Sequence, residues 1–286
     1  MRGCAARGMD RRGMDGKTKD GRVFSVFPGR VACGRVRGME SGFERTERLF
    51  GAEAVERLRR ARVFVAGLGA VGAAAAASLA RTAVGHFVLA DFDVVRESNL
   101  NRHPFAYRST LGLRKTEVAA RFLRDINPEV RIEIAEGFID AETAPRLLAE
   151  HPSDVLLDAI DSLLPKTELL LAAQAAGHPC VISCMGAARK TDPLRLAEAD
   201  LLDTRMCPLA HLLRKRLRRR GVRRGIHCIF SLEPAAGPAA PPPEGPEPDF
   251  LDRGRRREPM GSLHAVTSAV GAAAAAAAIR HLLETP

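Results

Sequence analysis

The stretch from Val63 to Asp93, VFVAGLGAVGAAAAASLARTAVGHFVLADFD, constrains this chain more than any other. It opens on an apolar, β-branched run, Val63-Phe64-Val65, that reads as a buried strand. Gly67, Gly69 and Gly72 follow in GxGxxG spacing, and an Ala-rich helical pattern continues to Arg81. A second apolar run, His86 to Ala90, ends in Asp91, at the distance from the glycines where a ribose-binding acid belongs. Strand, glycine turn, helix, strand and acid form the layout of a nucleotide-binding βαβ unit. Each part has a physical task. The glycines let the backbone turn tightly and approach a phosphate, and the helix N-terminus offers free N–H groups to the anion. Asp91 stands where a carboxylate accepts hydrogen bonds from ribose hydroxyls. A bare GxGxxG is weak, because many such matches are only tight turns. The register of strand, helix and acid is what makes nucleotide binding the expectation, with the identity of the nucleotide open.

The rest of the composition suits a folded protein around that unit. With 286 residues, 46% of them hydrophobic, the chain buries a full core as one large domain or two small ones. A formal net charge of +10 favours a polyanionic partner without establishing one. Trp is absent and Tyr occurs once, so a base-stacking platform would have to come from the twelve Phe. The cysteines, at 4, 33, 180, 184, 207 and 228, form no CxxC pair. That argues against a structural zinc and a disulfide framework, and for the reducing cytoplasm.

Residues 1–40 are rich in Arg and Gly and show no apolar periodicity. They lack the apolar core of a secretory signal, and Asp10, Asp15 and Asp20 count against a transit peptide. They read as a disordered basic tail, or as an upstream start with the folded protein beginning near Met39. Ser41 to Arg60 is a helical lead-in. Val94 to Leu100 reads as a loop entering a short helix, and Arg114 to Asp125 as an amphipathic helix. Then strands and helices alternate: Val130–Ile134, Asp140–Glu150, Val155–Ala159, Pro165–Ala176 and Cys180–Ser183. The expected fold is α/β, a Rossmann-like doubly wound, mostly parallel sheet with ligands at the carboxyl ends of its strands.

Further on, Pro208 to Arg220 places Leu209, Leu212, Leu213 and Leu217 on one helix face with basic residues around them. Ile226 to Ser231 reads as a strand, and the Pro- and Arg-rich segment of about 234–259 as a mobile insert. Ser262 to Leu283 is a helix with an alanine run. Alanine is only weakly apolar, so a buried helix packed on the sheet is preferred to a membrane span.

Asp91, Asn99, Arg102, Lys115 and Asp161 each fall at or just after the end of an expected strand, or in the helix that follows. A doubly wound sheet gathers them over the glycine turn. Hydride transfer needs only the glycines, a ribose acid and a base. Transfer of an AMP group needs more: Arg102 and Lys115 to neutralise a triphosphate, Asn99 to orient a phosphate oxygen, and Asp161 to hold Mg2+. Singly, Arg102 and Lys115 read as surface charges and Asp161 as a helix cap; their joint order carries the reading.

At these residues the chain resembles the ThiF/MoeB family, bacterial relatives of the ubiquitin-activating enzymes. The matching segments are GLGAVG (67–72), DFDVVRESNLNR (91–102), GLRKTEVAA (112–120), INPEV (126–130) and DAIDSLLPK (158–166). Within the family it is most similar to the branch that dehydrates threonylcarbamoyladenosine in tRNA. FERTERLFG, DAIDS followed by PK, and IHCIFSLEP carry that likeness, as does the absence of zinc-binding CxxC pairs. The resemblance implies one ATP-binding domain over residues 41–286. It implies activation of a carboxylate on a modified adenosine by ATP and Mg2+, then closure of a cyclic oxazolone with release of AMP. Gly67, Gly69 and Gly72 would form the ATP turn, with Asp91 on the ribose and Asp93 beside it. Asn99, Arg102 and Lys115 would contact phosphates, Asp161 the Mg2+, and Arg102, Lys115 and Asp161 would carry catalysis. Arg48 matches an arginine that reaches into the partner's ATP site, which implies a homodimer; on its own it reads as a solvated charge. His103 stands where the family has Gln.

Two features stand apart from that set. Arg214, Lys215, Arg216, Arg218, Arg219 and Arg220 suit tRNA phosphates, or else form a solvated face. Cys228 could take over an acyl group as a thioester, but a tethered ring closure needs no such intermediate, and its apolar strand reads as core. Two other functions stay in view. One is an adenylyltransferase for the C-terminus of a small sulfur-carrier protein; the other is a non-catalytic or NAD-binding Rossmann protein. Sulfur-transfer or cysteine desulfurase partners stay open beside tRNA.

Overall fold

The computed structural model describes residues 42–236 and 260–284. The expected basic tail, residues 1–40, and most of the expected mobile insert, 237–259, lie outside the described residues. The lead-in is two helices, α1 (Glu44–Phe50) and α2 (Ala52–Arg60), broken at Gly51. Strand β1 (Arg62–Ala66) follows, then α3 (Ala70–Arg81), β2 (His86–Ala90) and α4 (Lys115–Ile126). Next come β3 (Arg131–Ile134), α5 (Thr143–Glu150), β4 (Val155–Asp158), α6 (Leu163–Ala175) and β5 (Val181–Cys184). The chain ends with β6 (Leu196–Asp200), α7 (Pro208–Arg219), β7 (His227–Ser231) and α8 (His264–Glu284).

The seven strands form one sheet in the order β3-β2-β1-β4-β5-β7-β6. All neighbours pair parallel except β6, which runs antiparallel to β7. Chain order runs outward in one direction from β1 to β3 and in the other from β4, so the switch point lies between β1 and β4. Ligands of doubly wound sheets bind there, at the carboxyl ends. Both faces are covered, which is why the strands are apolar throughout rather than alternating. Val63, Val65, Phe87, Leu89 and Leu157 pack into one core cluster with α3, α4 and α8. Phe64, Val88 and Leu156 pack into the other with α5, α6 and α7.

Small side chains set the closest approach in the first layer. A Cβ on Gly271 of α8 would sit 2.5 Å from the Val71 carbonyl oxygen and 2.7 Å from the Ala74 Cβ of α3. The alanine runs of α3 and α8 therefore lie backbone to backbone. α8 is long and apolar enough to cross a membrane by length and composition. Its Val266, Val270, Ala274 and Ala278 are instead buried in the core. Strand β6 was not expected. Its sequence, LAEAD, has weak strand propensity and no apolar alternation, and one neighbour, β7, fixes it.

The basic helix corrects its expected phase. The buried stripe of α7 is Ala210, Leu213 and Leu217, and Leu212 is 47% exposed. Arg214 does not point outward with the others. It flanks the stripe, and its Nη1 donates to the Thr204 carbonyl at 2.8 Å and to the Thr204 hydroxyl.

Candidate active site

The glycine turn at the end of β1 is built by close contacts that exclude side chains. Gly67 has φ of +87°, where glycine is favoured, and a Cβ there would lie 3.0 Å from the Ala159 carbonyl and Ile160 N. A Cβ on Gly72 would lie 1.9 Å from the Gly67 oxygen. These two glycines therefore answer to protein packing. Gly69 does not: a Cβ there would meet nothing within 4 Å. It is the N-cap of α3, and no side chain caps that end of the helix. Open space over an uncapped twelve-residue helix is what an anion such as a phosphate requires.

Around the turn, charged side chains are held by short bonds. Asp91 Oδ2 accepts from Leu68 N at 2.7 Å, and Oδ1 from Asp93 N at 2.8 Å. The ribose acid thus also shapes the turn, with lone pairs left over for a ligand. Burial pushes its carboxyl above the ordinary range, against the Lys115 charge and the two amide bonds. Asp93 Oδ2 accepts from Lys115 Nζ at 2.7 Å, and Lys115 is nearly buried as the first residue of α4. For Asp93, burial also pushes upward, but Lys115 and Arg96 together hold its carboxyl below the usual value.

The loop 94–110 brings the remaining cations. Asn99 Oδ1 accepts from Arg96 N at 3.1 Å. Arg102 Nη1 donates to the Ser98 carbonyl at 2.7 Å and to Asn101 Oδ1 at 3.0 Å. The start of α8 ties down the same loop, where His264 Nδ1 lies 2.8 Å from the Arg102 carbonyl oxygen. Asp161 is exposed in the loop after β4, whose Ala159 lies against Gly67. The structure thus gathers Gly67, Gly69, Gly72, Asp91, Asp93 and Lys115 at the switch point, with Asn99 on a loop joined to them through Arg96 and Asp93, while the Arg102 guanidinium bonds within its own loop and Asp161 follows two residues after Ala159. It does not bring Arg48 to them. That side chain is 77% exposed on α1 and pairs with Glu44.

Four residues outside the expected site set also shape it. His103 is buried, its Nε2 2.8 Å from the Leu68 carbonyl oxygen, and its Nδ1 accepts from Phe105 N at 3.1 Å. Burial, with the nearby Lys115 and Arg102 charges, lowers its pKa to about 4, so the ring is neutral and Nε2–H donates to Leu68. It holds the carbonyl of Leu68, the residue whose amide Asp91 holds. Asp158 and Lys166, both fully buried, lie 2.7 Å apart. Lys166 Nζ also donates to the Ile160 carbonyl at 3.1 Å and the Cys184 carbonyl at 2.9 Å, and Ser183 Oγ to Asp158 at 2.7 Å. That network fixes the loop carrying Asp161. Phe92, between the two acids in the chain, is 59% exposed and meets Phe138 edge-on at 5.2 Å. The signals were present: a lysine eight residues past Asp158, a histidine after the NLNR segment, and a phenylalanine inside DFD.

Cys228 is the second residue of β7 and has no exposure, and burial pushes its thiol well above the ordinary value. A thiol held protonated in a core is a poor nucleophile. Cys184 of β5 is pushed up to about 12 by burial.

A family model described as the ThiF family matches residues 43–286. The chain belongs to the ThiF family. It is 38% identical over 191 residues to the tRNA threonylcarbamoyladenosine dehydratase of Bacillus subtilis, covering 67% of this chain and 74% of that one. Its fold matches the Escherichia coli enzyme TcdA, tRNA N6-threonylcarbamoyladenosine dehydratase, solved with AMP and with ATP. Each match has a TM-score of 0.74 and covers 84% of this chain and 93% of that one, at 32% and 31% identity. A molybdopterin-synthase adenylyltransferase of E. coli is 37% identical over 132 residues, 46% of this chain and 52% of its own.

Proposed function

We propose that this chain is an ATP-dependent dehydratase of threonylcarbamoyladenosine in tRNA. The observation that carries this is the open, uncapped α3 N-terminus at Gly69, flanked by the Asp91 and Asp93–Lys115 groups. It occurs in a ThiF-family chain like dehydratases along most of its length. The nucleoside carboxylate attacks the α-phosphate of ATP and pyrophosphate leaves. The carbamoyl oxygen then closes on the activated carboxyl carbon and AMP leaves, so the net change in the nucleoside is loss of one water. No protein nucleophile is needed, because the attacking group is already tethered. That agrees with a buried Cys228.

In this reading the turn of Gly67, Gly69 and Gly72 takes the phosphates and Asp91 the ribose. Asn99, Arg102 and Lys115 stabilise the charge that develops as pyrophosphate departs. Asp93 holds Lys115 in place. An oxygen ligand beside phosphates suits Mg2+, which commonly takes one or two carboxylates and completes its shell with phosphates and water. Asp161 would hold it, and the ion would supply charge neutralisation there. Residues 41–286 act as one ATP-binding domain in the cytoplasm, which suits the free thiols of the four described cysteines. The exposed arginines of α7 meet tRNA.

The active form is a homodimer in which Arg48 serves the partner's site. Mixing Arg48→Ala and Lys115→Ala proteins should then restore activity that neither has alone; no recovery would mean that Arg48 does not serve the partner's site, and full activity of Arg48→Ala alone would place it outside catalysis. The reaction itself is tested on tRNA from cells lacking the activity, incubated with protein, ATP and Mg2+. Mass spectrometry should show threonylcarbamoyladenosine losing one water only when ATP is present. Unchanged nucleoside despite ATP binding would favour the second reading, adenylation of a small carrier protein's C-terminus, which the 37% identity to the adenylyltransferase keeps in view. Carrier-dependent pyrophosphate exchange would establish that alternative.

A further inference from the structure

The chain has no Trp and a single Tyr, and the structure puts that tyrosine at the surface, where Tyr107 is 50% exposed. Exposure of one apolar ring is ordinary. What sets Tyr107 apart is how it is held. Its ring stacks on Phe122 of α4, with centroids 5.6 Å apart and planes 21° from parallel. Phe122 in turn stacks on the buried Phe105 at 4.9 Å and 9°. Phe105 meets His103 at 6.0 Å, and His103 is bonded to the Leu68 carbonyl of the glycine turn. The backbone is fixed as well, since Tyr107 N–H donates to Oγ1 of the buried Thr110 at 2.9 Å. An aromatic row thus runs from the turn to the surface and ends in a half-exposed ring with one face already stacked.

The exposed Phe92, by contrast, meets its neighbour edge-on. The segment that Tyr107 opens is also basic. From Tyr107 to Asp125 the exposed charged residues are Arg108, Arg114, Arg121 and Arg124, against Glu117 and Asp125. The Arg108 side chain, next to Tyr107 in the chain, is 84% exposed, and its ion pair with Glu97 is loose at 3.9 Å. A flat uncharged ring in a segment rich in cations matches a nucleobase joined to phosphates. Stacking accepts the face of any base, and the cations attract the backbone. The composition leaves base stacking to the phenylalanines, yet it is the single tyrosine that is presented for it.

We propose that Tyr107 stacks an unpaired base of the RNA strand that carries the reacting adenosine. This rests on the tRNA reading above and gives that substrate a contact distinct from the arginines of α7. A ring already held against Phe122 has little freedom left to lose on binding. With no other Tyr and no Trp in the chain, tyrosine fluorescence reports on this one ring. Titrating the full-length protein with the substrate tRNA should quench it, beyond the absorption of light measured with free tyrosine amide in the same RNA. Tyr107→Phe keeps the stack and should keep KM for tRNA within about twofold of the parent. Tyr107→Leu keeps an apolar cover over Phe122 but offers no flat face. It should raise KM for tRNA at least about fivefold, the low end for one lost base stack, with KM for ATP unchanged. Unquenched fluorescence with tRNA bound, or a parental KM in Tyr107→Leu, would overturn the stack and leave the tRNA reading standing. If the unaltered protein neither binds nor dehydrates tRNA, that reading falls and takes the stack with it.

Discussion

The switch point between β1 and β4 and the outer face of α7 both carry charge, but they treat it oppositely. At the switch point Asp91, Asp93, Lys115 and His103 are each tied to a partner within about 3 Å and at least half removed from water. On α7, Lys215, Arg216, Arg218 and Arg219 are exposed with flexible side chains. The first arrangement spends its cost on order before a ligand arrives. Its dipoles are then aimed where charge develops, and little reorganisation remains for the reaction. The second keeps long side chains mobile in water, which suits a partner held by many weak, salt-sensitive contacts. Substitutions in the first region should therefore act steeply and singly, and those in the second weakly and together.

The steepest effect is expected at Lys166, the most deeply buried charge. Lys166→Met would leave Asp158 buried without its cation, and losing one partner of a buried pair typically costs about 3–5 kcal/mol. Urea unfolding should show a loss of that size. A loss below about 1 kcal/mol would mean that Asp158 is satisfied without the lysine, and that the Asp161 loop is held by something else.

Next is Lys115. Lys115→Ala should slow AMP formation by roughly 100- to 1,000-fold, as removal of one preorganised electrostatic group does. It would also release Asp93, whose carboxyl the lysine helps hold low. Single-turnover rates with saturating ATP and tRNA measure the effect. A rate within about threefold of the parent would remove Lys115 from the phosphate site and break the contrast at its centre.

How much of this was legible in the sequence follows the same division. The βαβ unit could be read because its requirements are local: spacing of three glycines, a helical run, an acid at a strand end. The doubly wound parallel sheet followed from alternation of elements, and the structure has it. What could not be read is whatever depends on contacts across the sheet. Lys166 lies in the quoted DAIDSLLPK segment, yet its partners include the Cys184 carbonyl on the next strand, and nothing local shows that. His103 is tied to Leu68, 35 residues away. Strand β6 exists because β7 offers it an edge, not because LAEAD prefers a strand. The α7 face is turned from the expected one: Leu213 and Leu217 are inside as expected, but Leu212 is exposed and the buried stripe runs instead through Ala210, with Arg214 at its edge bonded to a carbonyl.

His103 offers a subtler test of the ordered region. Its pKa is lowered from 6.5 to about 4 in the fold, chiefly by burial. Between those values the unfolded chain binds a proton that the folded one does not. Stability should therefore be full above pH 6.5 and fall as the pH drops toward 4, by up to roughly 3 kcal/mol from this group. His103→Gln keeps a donor for Leu68 and an acceptor for Phe105 but does not titrate. Its stability should match the parent within about 1 kcal/mol at pH 7 and lose less on acidification. Parallel stability curves for the two proteins would show that His103 is not the group linked to pH.

The smallest effect should come from an ion pair that looks, on distance alone, as strong as any in the molecule. Arg280 Nη2 of α8 lies 2.6 Å from both carboxylate oxygens of Glu198 on β6, closer than Lys166 lies to Asp158. The difference is water. Arg280 and Glu198 are 50% and 38% exposed, whereas Lys166 and Asp158 are fully buried. An exposed pair is screened and must hold two mobile side chains in place, so it typically contributes no more than about 1 kcal/mol. His227 Nε2, 2.6 Å from Glu198, also stays beside the carboxylate when Arg280 is gone. Arg280→Gln should lower stability by less than about 1 kcal/mol, and by less still in high salt. A loss approaching that of Lys166→Met would mean that proximity, not burial, ranks the charges here, and the contrast between the two regions would then have no physical basis.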